Sequence, residues 1–461
     1  MDRYQVEAVL RRAKKIFFVG IGGISMSSLA FVCREQGYEV SGSDRAISAM
    51  TEKLRASGIP VAYEHRVENI EGADAVVYTG AVTLENPELA AATEKEIPLI
   101  YRADLLGYLM CEYTHRIGVA GMHGKSTATS MLSHLFIDAE KKPTVLSGAE
   151  TEEMGGAYLL GEKNYFIFEA CEYKDSFLSF HPSISVILNI DLDHTDYFTG
   201  GIPQIVDSFT QYANLPFDGT SELPVTVINA DDEHTAQIVK NLPHAVTFGI
   251  HSDADYQAKN ISLTGGRASF DIVKGDQLLT HISLCVFGEH NIYNALATAA
   301  VGDLLGLSAA EIANGLCTFT GLRRRFEYKG SINGASVYID YAHHPREIAA
   351  TLAGAKAGTK GKLIAFFEPH TYSRTASLLQ EFSAAFSDAD SIYFLDIYAA
   401  REENIYGVSS EMLAKITPRG AYADSYEKAC DLIHAYAKDG DIVMILGAGT
   451  VARIADMLFP A

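Results

Sequence analysis

The chain has 461 residues, of which 48% are hydrophobic and 21% charged, and its mean hydropathy is +0.05. This composition is typical of globular proteins, and the length predicts two or three domains. The formal net charge of −21 disfavours a nucleic-acid partner, and no apolar run reaches the roughly 18–20 residues that cross a bilayer.

The six cysteines are scattered, and none forms a C-x-x-C pair. This spacing disfavours a structural zinc site, and a chain of this length does not need disulfide bonds for stability. We therefore expect reduced thiols in a cytoplasmic protein. The cysteines are Cys33, Cys111, Cys171, Cys285, Cys317 and Cys430.

The first region, residues 1–110, alternates short apolar segments with helical ones. The apolar segments read KKIFFVGIG, YEVSGSD, ADAVVYTGAV and IPLIY. Short apolar strands that alternate with helices indicate a parallel sheet with helices on both faces. The prediction is an N-terminal Rossmann-like domain.

A glycine turn follows the first strand of this region, with Gly20, Gly22 and Gly23, and an acidic residue, Asp44, ends the next strand. This is nearly the dinucleotide fingerprint, in which the acid binds a ribose hydroxyl, but Ser25 replaces the third glycine. Three interpretations remain open for the turn: a nicotinamide site, a site for another nucleotide, and a tight turn without a ligand.

The second region, residues 111–320, opens with a phosphate-binding loop. The apolar segment RIGVA leads into Gly121-Met122-His123-Gly124-Lys125-Ser126-Thr127, and a helix-forming run follows. Glycines allow backbone N–H groups to face phosphate oxygens, an exposed lysine reaches the outer phosphates, and the next hydroxyl can bind Mg²⁺. The loop is shorter than G-x-x-x-x-G-K-[ST], because Val119 stands at the first glycine position. The motif predicts an ATP or GTP site.

Acidic residues follow two apolar strands of the same region. Glu169 ends NYFIFE, and the segment ISVILNIDLDHTDYF carries Asp191, Asp193, His194 and Asp196. Ligand-binding groups lie at the carboxyl ends of strands in α/β sheets, and oxygen donors beside a phosphate loop suit Mg²⁺. Solvated strand-end turns are the alternative for any one of these residues.

The remaining segments complete a three-domain α/β fold. A β-rich stretch with AVTFGI, DYQAKNISLTGGRASFDIV and LLTHISLCVFG ends the second region, before the helical EHNIYNALATAAVGDLLG. The third region, residues 321–461, contains SVYIDYAHHP, KLIAFFEPHTYSRT, DSIYFLDIY and DIVMILGAGT, again strands followed by helices. We predict a central P-loop-type ATPase α/β domain with extra β-structure and a C-terminal Rossmann-like α/β domain.

Several motifs occur together in an order and spacing that resemble the Mur ligase family over essentially the whole chain. They are GMHGKST, FEACEYKDSFL, NIDLDHTDYF, GEHNIYNA, GLRRRFE, DYAHHP, FEPHTYSRT and GAGT. The segments GIGGISMSSLA, DYAHHP and PHTYSRT are most similar to the members that add L-alanine to UDP-N-acetylmuramate. The resemblance implies an ATP- and Mg²⁺-dependent ligase of peptidoglycan precursor synthesis that acts on these two small molecules, as a monomer or homodimer.

The resemblance also implies roles for individual residues. The catalytic residues would be Lys125, Glu169 and His194, and the metal ligands Ser126, Glu169 and His194. The ATP site would comprise residues 121–127 with Asn291, Asn294, Arg325 and Asp340. The UDP-sugar would contact Gly22, Gly23, Ile24, Ser25, Asp44 and His65. The amino acid would lie near His343 and Arg374, and Arg374 would be its sole carboxylate anchor because Thr371 stands where many relatives have arginine.

Three other functions compete with this one, of which a non-catalytic nucleotide-binding module is disfavoured by the presence of Lys125, Glu169 and His194. A recycling ligase that attaches a preformed tripeptide to the same UDP-sugar shares every motif and differs in the amino-acid pocket. An NAD-dependent oxidoreductase would use the N-terminal glycine turn, but it leaves Lys125, Glu169 and His194 without a role.

Overall fold

The computed structural model describes residues 1–151, 153–195, 197–215, 224–264, 266–400 and 402–460. By residue contacts the chain divides into two compact units. The first unit comprises residues 1–256 and 297–308, and the second comprises residues 257–296 and 309–461. No helix in the described part of the chain is long and apolar enough to cross a membrane.

The amino-terminal part of the first unit is the predicted parallel sheet. Its strands are β1 (Lys15–Val19), β2 (Glu39–Ser43), β3 (Val61–Ala62), β4 (Ala75–Tyr78) and β5 (Leu99–Tyr101), and its helices are α1 (Arg3–Leu10), α2 (Ile24–Glu35), α3 (Ala49–Ala56), α4 (Pro87–Glu94) and α5 (Arg102–Met110). The strand order is β3-β2-β1-β4-β5, with every pairing parallel. The order reverses beside β1, where open α/β sheets bind their ligands.

The rest of the first unit carries the phosphate loop. Its strands are β6 (His115–Ala120), β7 (Thr144–Thr151), β8 (Gly156–Leu159), β9 (Tyr165–Glu169), β10 (Ile184–Ile187), β11 (Val225–Asn229) and β12 (Ala245–Gly249), and its helices are α6 (Lys125–Asp138), α7 (Ile202–Ala213) and α8 (Thr235–Val239). These strands follow the order β12-β11-β10-β6-β9-β7-β8. Strands β6, β9 and β10 are parallel neighbours, so their carboxyl ends lie at one edge.

The second unit contains a β-ribbon and a second open sheet. The ribbon comprises β13 (Tyr256–Thr264), β14 (Arg267–Lys274) and β15 (Gln277–Phe287), of which β14 and β15 pair antiparallel. The open sheet comprises β16 (Glu327–Ile332), β17 (Ala335–Asp340), β18 (Leu363–Phe367), β19 (Ser391–Phe394), β20 (Gly420–Tyr422) and β21 (Ile442–Leu446). Its order is β16-β17-β21-β18-β19-β20.

The helices of the second unit begin with the amino-terminal half of α9 (His290–Leu304), whose later residues belong to the first unit. The others are α10 (Ala309–Thr318), α11 (Pro345–Gly358), α12 (Tyr372–Ser377), α13 (Leu379–Ala385), α14 (Ser410–Ile416), α15 (Tyr426–Tyr436) and α16 (Arg453–Leu458). Apolar clusters lie on the two faces of the open sheet, one including Leu363, Ala365 and Phe367 and the other Ile364 and Phe366. Alternate residues of β18 thus face opposite layers, as in a sheet buried on both sides.

The predicted α/β fold with parallel sheets in its amino-terminal, central and carboxy-terminal regions is confirmed. The sequence analysis identified the long apolar strands and missed the short or polar ones, namely β3, β7, β8, β16 and β20. Each of these strands has too few consecutive apolar residues for its sequence to be distinguished from that of a loop.

Candidate active site

The phosphate loop lies between β6 and α6, as the motif predicts. Gly121 has φ +145° and Gly124 has φ +84°, conformations that favour glycine. Asn189, which follows β10, holds the loop from the neighbouring strand: its side-chain oxygen accepts from the His123 N–H at 2.8 Å, and its amide donates to the His123 carbonyl at 2.9 Å. The Met122 N–H donates to the Asn189 carbonyl at 3.1 Å. The loop is therefore fixed before any ligand binds.

Lys125 is less exposed than the sequence suggested, with only 13% of its side chain accessible. Its ammonium donates to the carbonyls of Gly121 at 2.6 Å and Met122 at 3.2 Å, and to Glu172 Oε1 at 3.0 Å. Burial disfavours the charged ammonium, but the Glu172 carboxylate more than offsets this and raises the pKa of Lys125. The expectation of an exposed loop lysine was wrong, because a buried partner 47 residues along the chain draws the ammonium inward.

Ser126 and Glu169 come together, as a shared metal site requires. The Ser126 hydroxyl donates to Glu169 Oε2 at 2.8 Å, and the same oxygen accepts from the Gly148 N–H at 3.0 Å. A Cβ at Gly148 would lie 2.5 Å from that oxygen, so a larger residue here would have to displace the Glu169 carboxylate. A hydroxyl and a carboxylate oxygen at this separation suit one edge of a Mg²⁺ coordination sphere.

His194 lies next to Glu172. Its Nε2 is 3.5 Å from Glu172 Oε1, and its ring packs on Tyr173 with centroids 4.8 Å apart. The backbone of His194 has φ +50°, and Asp193 Oδ1 accepts its N–H at 2.7 Å. This bond stabilises an unusual conformation for a residue with a side chain. His194 thus contacts the carboxylate that also binds Lys125.

The other residues predicted after β10 have separate positions. Asp191 is buried and lies 3.1 Å from His123 Nε2, so it contacts the phosphate loop from outside. Asp196 lies outside the described residues. Thr127 is half-buried at the start of α6.

The N-terminal glycine turn is tied to Asp44. Asp44 Oδ2 accepts from the Gly22 N–H at 2.9 Å, and Oδ1 accepts from the Ala46 N–H at 3.1 Å. In the dinucleotide fingerprint this acid binds a ribose, whereas here both of its oxygens accept backbone bonds. Gly23 caps α2, and Ile24 and Ser25 are exposed at its amino terminus.

His65 belongs to a buried polar network beside that turn. Its Nδ1 lies 2.7 Å from Glu88 Oε2 and 3.0 Å from the Ser43 hydroxyl. Glu88 is fully buried and also accepts from Ser43 at 2.7 Å and from the Asn69 amide at 2.7 Å. The network fixes the His65 ring beside Ser43, the last residue of β2, at the carboxyl end of the sheet.

In the second unit, the two predicted asparagines form a chain at the start of α9. The Asn291 amide donates to the Phe287 carbonyl at 2.7 Å, and the Asn294 amide donates to Asn291 Oδ1 at 2.9 Å. Both side chains are buried. These bonds hold the first turn of the helix to the end of β15.

Arg325 and Asp340 lie on neighbouring segments of the second unit. Asp340 ends β17 and accepts from the N–H groups of Phe326 and Ala342, each at 2.7 Å. Burial raises the pKa of Asp340, against the opposing attraction of Arg325. The Arg325 guanidinium lies 5.2 Å from the ring centroid of Tyr341.

His343 and Arg374 meet around a third residue, His370. Arg374 Nη1 lies 3.3 Å from His370 Nδ1, and the rings of His343 and His370 are 5.9 Å apart. Burial lowers the pKa of His343, against the attraction of Glu347. Burial, with further contributions from His343 and Arg374, lowers the pKa of His370 to about 4. The cluster therefore has one permanent cation, Arg374, beside two neutral imidazoles.

The sequence analysis did not assign Glu172, Glu88, His370 or Asn189. Glu172 and His370 stand inside the motifs FEACEY and EPHTYSRT, so the signal was present, but nothing in the sequence distinguished them from their neighbours. The ammonium partner of Glu172 lies 47 residues away along the chain, and the sheet register brings the two together, whereas His370 contacts Arg374 across four residues.

Models of one protein family match most of the chain, and a similar protein covers nearly all of it. Residues 15–114 match the family model "Mur ligase family, catalytic domain", residues 119–302 match "Mur ligase middle domain", and residues 324–449 match "Mur ligase, glutamate ligase domain". A UDP-N-acetylmuramate–L-alanine ligase from Clostridium beijerinckii is 44% identical over 455 residues, which cover 97% of this chain and 98% of the relative.

Two solved structures share the fold. A UDP-N-acetylmuramate–alanine ligase from Thermotoga maritima has a TM-score of 0.81 and 26% identity, with 96% of this chain and 97% of that chain covered. A murein peptide ligase from Psychrobacter arcticus has a TM-score of 0.71 and 23% identity, with 96% and 98% covered.

Proposed function

We propose that this chain, which belongs to the Mur ligase family, is the ligase that joins L-alanine to UDP-N-acetylmuramate in peptidoglycan precursor synthesis. The observation that carries the proposal is 44% identity, over nearly the full length of both chains, to an enzyme of that activity. This was the function predicted from the sequence. Family membership sets the NAD-dependent oxidoreductase aside.

The chemistry requires activation of a carboxylate. The lactyl carboxylate of UDP-N-acetylmuramate attacks the γ-phosphorus of ATP, ADP leaves, and an acyl phosphate forms. The alanine amine then attacks the acyl carbon and loses a proton, and the tetrahedral intermediate expels phosphate to leave the amide. Catalysis of this kind depends on positioning and on cations that stabilise developing negative charge.

The phosphate loop supplies the first cation. We assign residues 121–127 to the ATP phosphates, because the loop is preformed and Lys125 is its charged side chain. Ser126 and Glu169 fit a Mg²⁺ ion, since their oxygens already lie 2.8 Å apart. His194 remains the candidate for a second metal position. Bound Mg²⁺ would neutralise phosphate charge.

The remaining site residues keep the roles implied by the family. Asn291, Asn294, Arg325 and Asp340 are proposed to contact the nucleotide. Gly22, Gly23, Ile24, Ser25, Asp44 and His65 are proposed to contact the UDP-sugar, a role supported by their place beside the strand-order reversal of the first sheet. We likewise propose domains of residues 1–110, 111–320 and 321–461.

The proposed amino-acid site carries little charge. Arg374 is the cation that would bind the alanine carboxylate, and neutral His343 and His370 lie beside it. A guanidinium can bind a carboxylate through two parallel bonds. The recycling ligase is the second candidate, and the murein peptide ligase from Psychrobacter arcticus, at 23% identity, shows a shared fold alone. We also propose a cytoplasmic location, which the six free thiols and the use of ATP support.

The test is phosphate release from ATP by the purified protein with Mg²⁺, UDP-N-acetylmuramate and a panel of amines. Release should require the UDP-sugar and be fastest with L-alanine, slower with glycine and L-serine, and negligible with D-glutamate. Loss of one methyl costs only about 1–3 kcal/mol, so glycine should remain detectable. Faster release with the tripeptide L-Ala-γ-D-Glu-meso-diaminopimelate than with alanine would establish the recycling ligase instead.

A further inference from the structure

We propose that Glu172 is a positioning residue that holds the Lys125 ammonium and the His194 imidazole together beside the phosphate loop, at some cost in ATP affinity. The proposal rests on the proposed function, because it concerns the ATP half of the same reaction. It adds a residue to which the motifs gave no role.

The carboxylate of Glu172 is placed to bridge the two groups. Its side chain is only 1% exposed. One oxygen, Oε2, lies 2.9 Å from Lys125 Nζ, and the other, Oε1, lies 3.0 Å from the same nitrogen and 3.5 Å from His194 Nε2. A buried carboxylate needs such partners, and it fixes in return the direction in which each of them points.

The segment that carries Glu172 is itself fixed. The two residues that follow Tyr173, Lys174 and Asp175, both have left-handed backbones, with φ +54° and +53°. Asp175 accepts hydrogen bonds from the hydroxyls of Tyr197 and Ser208, which anchor this turn to the segment after β10 and to α7. Glu172 therefore presents its carboxylate from a constrained turn.

The bonds of Lys125 show why such an anchor matters. An ammonium has three donors, and here they bind Gly121, Met122 and Glu172. A phosphate that reaches Lys125 must share or replace one of these acceptors. Glu172 keeps the flexible side chain in one orientation, but its negative charge also repels the incoming phosphates. Glu172 thus favours turnover but weakens the binding of ATP.

The decisive variant is Glu172→Gln, which keeps the volume and an oxygen acceptor but removes the charge. Loss of a group that orients a binding or metal-ligating side chain typically costs about 10–100-fold in activity. We expect kcat to fall by that factor while KM for ATP stays the same or decreases. Glu172→Asp should recover part of kcat because it restores the charge. Should Glu172→Gln not fold, Glu172→Asp tests the positioning role alone, because it keeps the charge but shortens the reach of the carboxylate: kcat should fall with KM for ATP unchanged, and an unchanged kcat would contradict the role.

The matched control is Glu162→Gln, which breaks an exposed ion pair with Lys142 whose atoms are 2.7 Å apart. It should leave kcat within twofold of wild type. In a double-mutant cycle, Lys125→Ala combined with Glu172→Gln should lose less activity than the product of the two single losses, because part of the effect of Glu172 passes through Lys125 and the rest through His194.

Two results would overturn the proposal: a kcat for Glu172→Gln within threefold of wild type, or a KM for ATP that rises as much as kcat falls. Calorimetry of ATP binding without the other substrates tests the role of Glu172 independently of the proposed function. If the wild-type protein does not use alanine, the proposed function fails, and tighter or equal ATP binding by Glu172→Gln still supports the role of Glu172. Weaker ATP binding contradicts that role.

Discussion

At the scale of single residues, the first unit uses buried carboxylates to position side chains of the candidate site. Glu172 is 1% exposed and pairs with Lys125, and fully buried Glu88 pairs with His65. A buried charge is tolerated only with a partner, so removal of either member affects stability as well as function. Substitution of the phosphate-loop lysine should therefore lower the stability of the protein as well as its turnover.

Lys125→Ala should lower turnover at least ~100-fold, the scale of removing one group that stabilises the transition state. It should also lower the melting temperature, because Glu172 is left buried without its ammonium partner. Turnover is measured at saturating substrates, and melting by circular dichroism. In Lys125→Ala with Glu172→Gln the melting temperature should recover, since no charge remains unpaired. Lys142→Ala, which removes an exposed lysine, is the control for both measurements.

Arg374 gives a second prediction at this scale. Arg374→Lys should raise KM for alanine at least tenfold and leave KM for ATP within about twofold, because lysine cannot reproduce the planar two-bond geometry. The measurement is steady-state phosphate release with each substrate varied in turn. Arg419→Lys, at an exposed arginine bonded to the Ser387 carbonyl, should change neither constant. Equal increases in both KM values would contradict the assignment of Arg374 to the amino acid.

At the scale of elements, close packing of backbones positions the turn that carries Glu172. Gly107 lies on α5, and a Cβ at this position would be 2.1 Å from the carbonyl oxygen of Ser179. Ser179 ends the short 3₁₀ segment Tyr173–Ser179, which begins directly after Glu172. Because the nearest atom belongs to the backbone, no side-chain rotation can relieve the contact. Helix α5 therefore supports the candidate site from outside it.

We expect Gly107→Ala to lower the melting temperature by several degrees, since overpacking of this kind costs about 1–3 kcal/mol. Gly354→Ala on α11 is the matched control, because its Cβ would meet its nearest atom at an ordinary 3.6 Å. Alanine also has the higher helix propensity, so this control should leave the melting temperature unchanged or raise it. Thermal melts of the three proteins side by side make the comparison. An equal effect of both substitutions would contradict the packing argument.

At the scale of the whole molecule, a net charge of −21 coexists with proposed sites for anionic ligands. Local groups such as the phosphate loop and Arg374 provide the positive potential that the overall surface lacks. The neutral histidines beside Arg374 add a dependence of global stability on pH. The folded-state pKa of His370 is about 4, against an ordinary value of 6.5.

The sign of this effect follows from proton binding. Between pH 6.5 and 4 the unfolded chain binds a proton at His370 that the folded protein excludes, so the stabilisation is complete above pH 6.5 and is lost as pH falls towards 4. We expect the melting temperature to decrease over this range, and less steeply in His370→Gln than in wild type. His251→Gln, at an exposed histidine, should keep the wild-type slope. Identical slopes in all three proteins would refute the role of His370.

The sequence by itself determined most strands of the sheets and the position of the phosphate loop. Strands such as β6, β9 and β18 appear in the sequence as continuous apolar runs, and the glycines of the predicted loop, Gly121 and Gly124, have the positive φ angles that glycine adopts readily. These features are local, because they depend on backbone conformation and on which faces are buried. Local patterns were therefore sufficient to predict them.

Only the tertiary structure decided how the site is connected. Strand β6 pairs with β9 so that Val119 lies opposite Glu169, which brings the start of α6 to the turn that carries Glu172. Periodicity reveals that a strand is buried but not which strand lies beside it or in what register. The ion pair of Lys125 with Glu172 and the approach of the His343 ring to that of His370 depend on this long-range pairing, whereas the contact of Arg374 with His370 spans only four residues and is local. Burial then determined which of these groups carry charge, since desolvation depends on the neighbours that folding brings together.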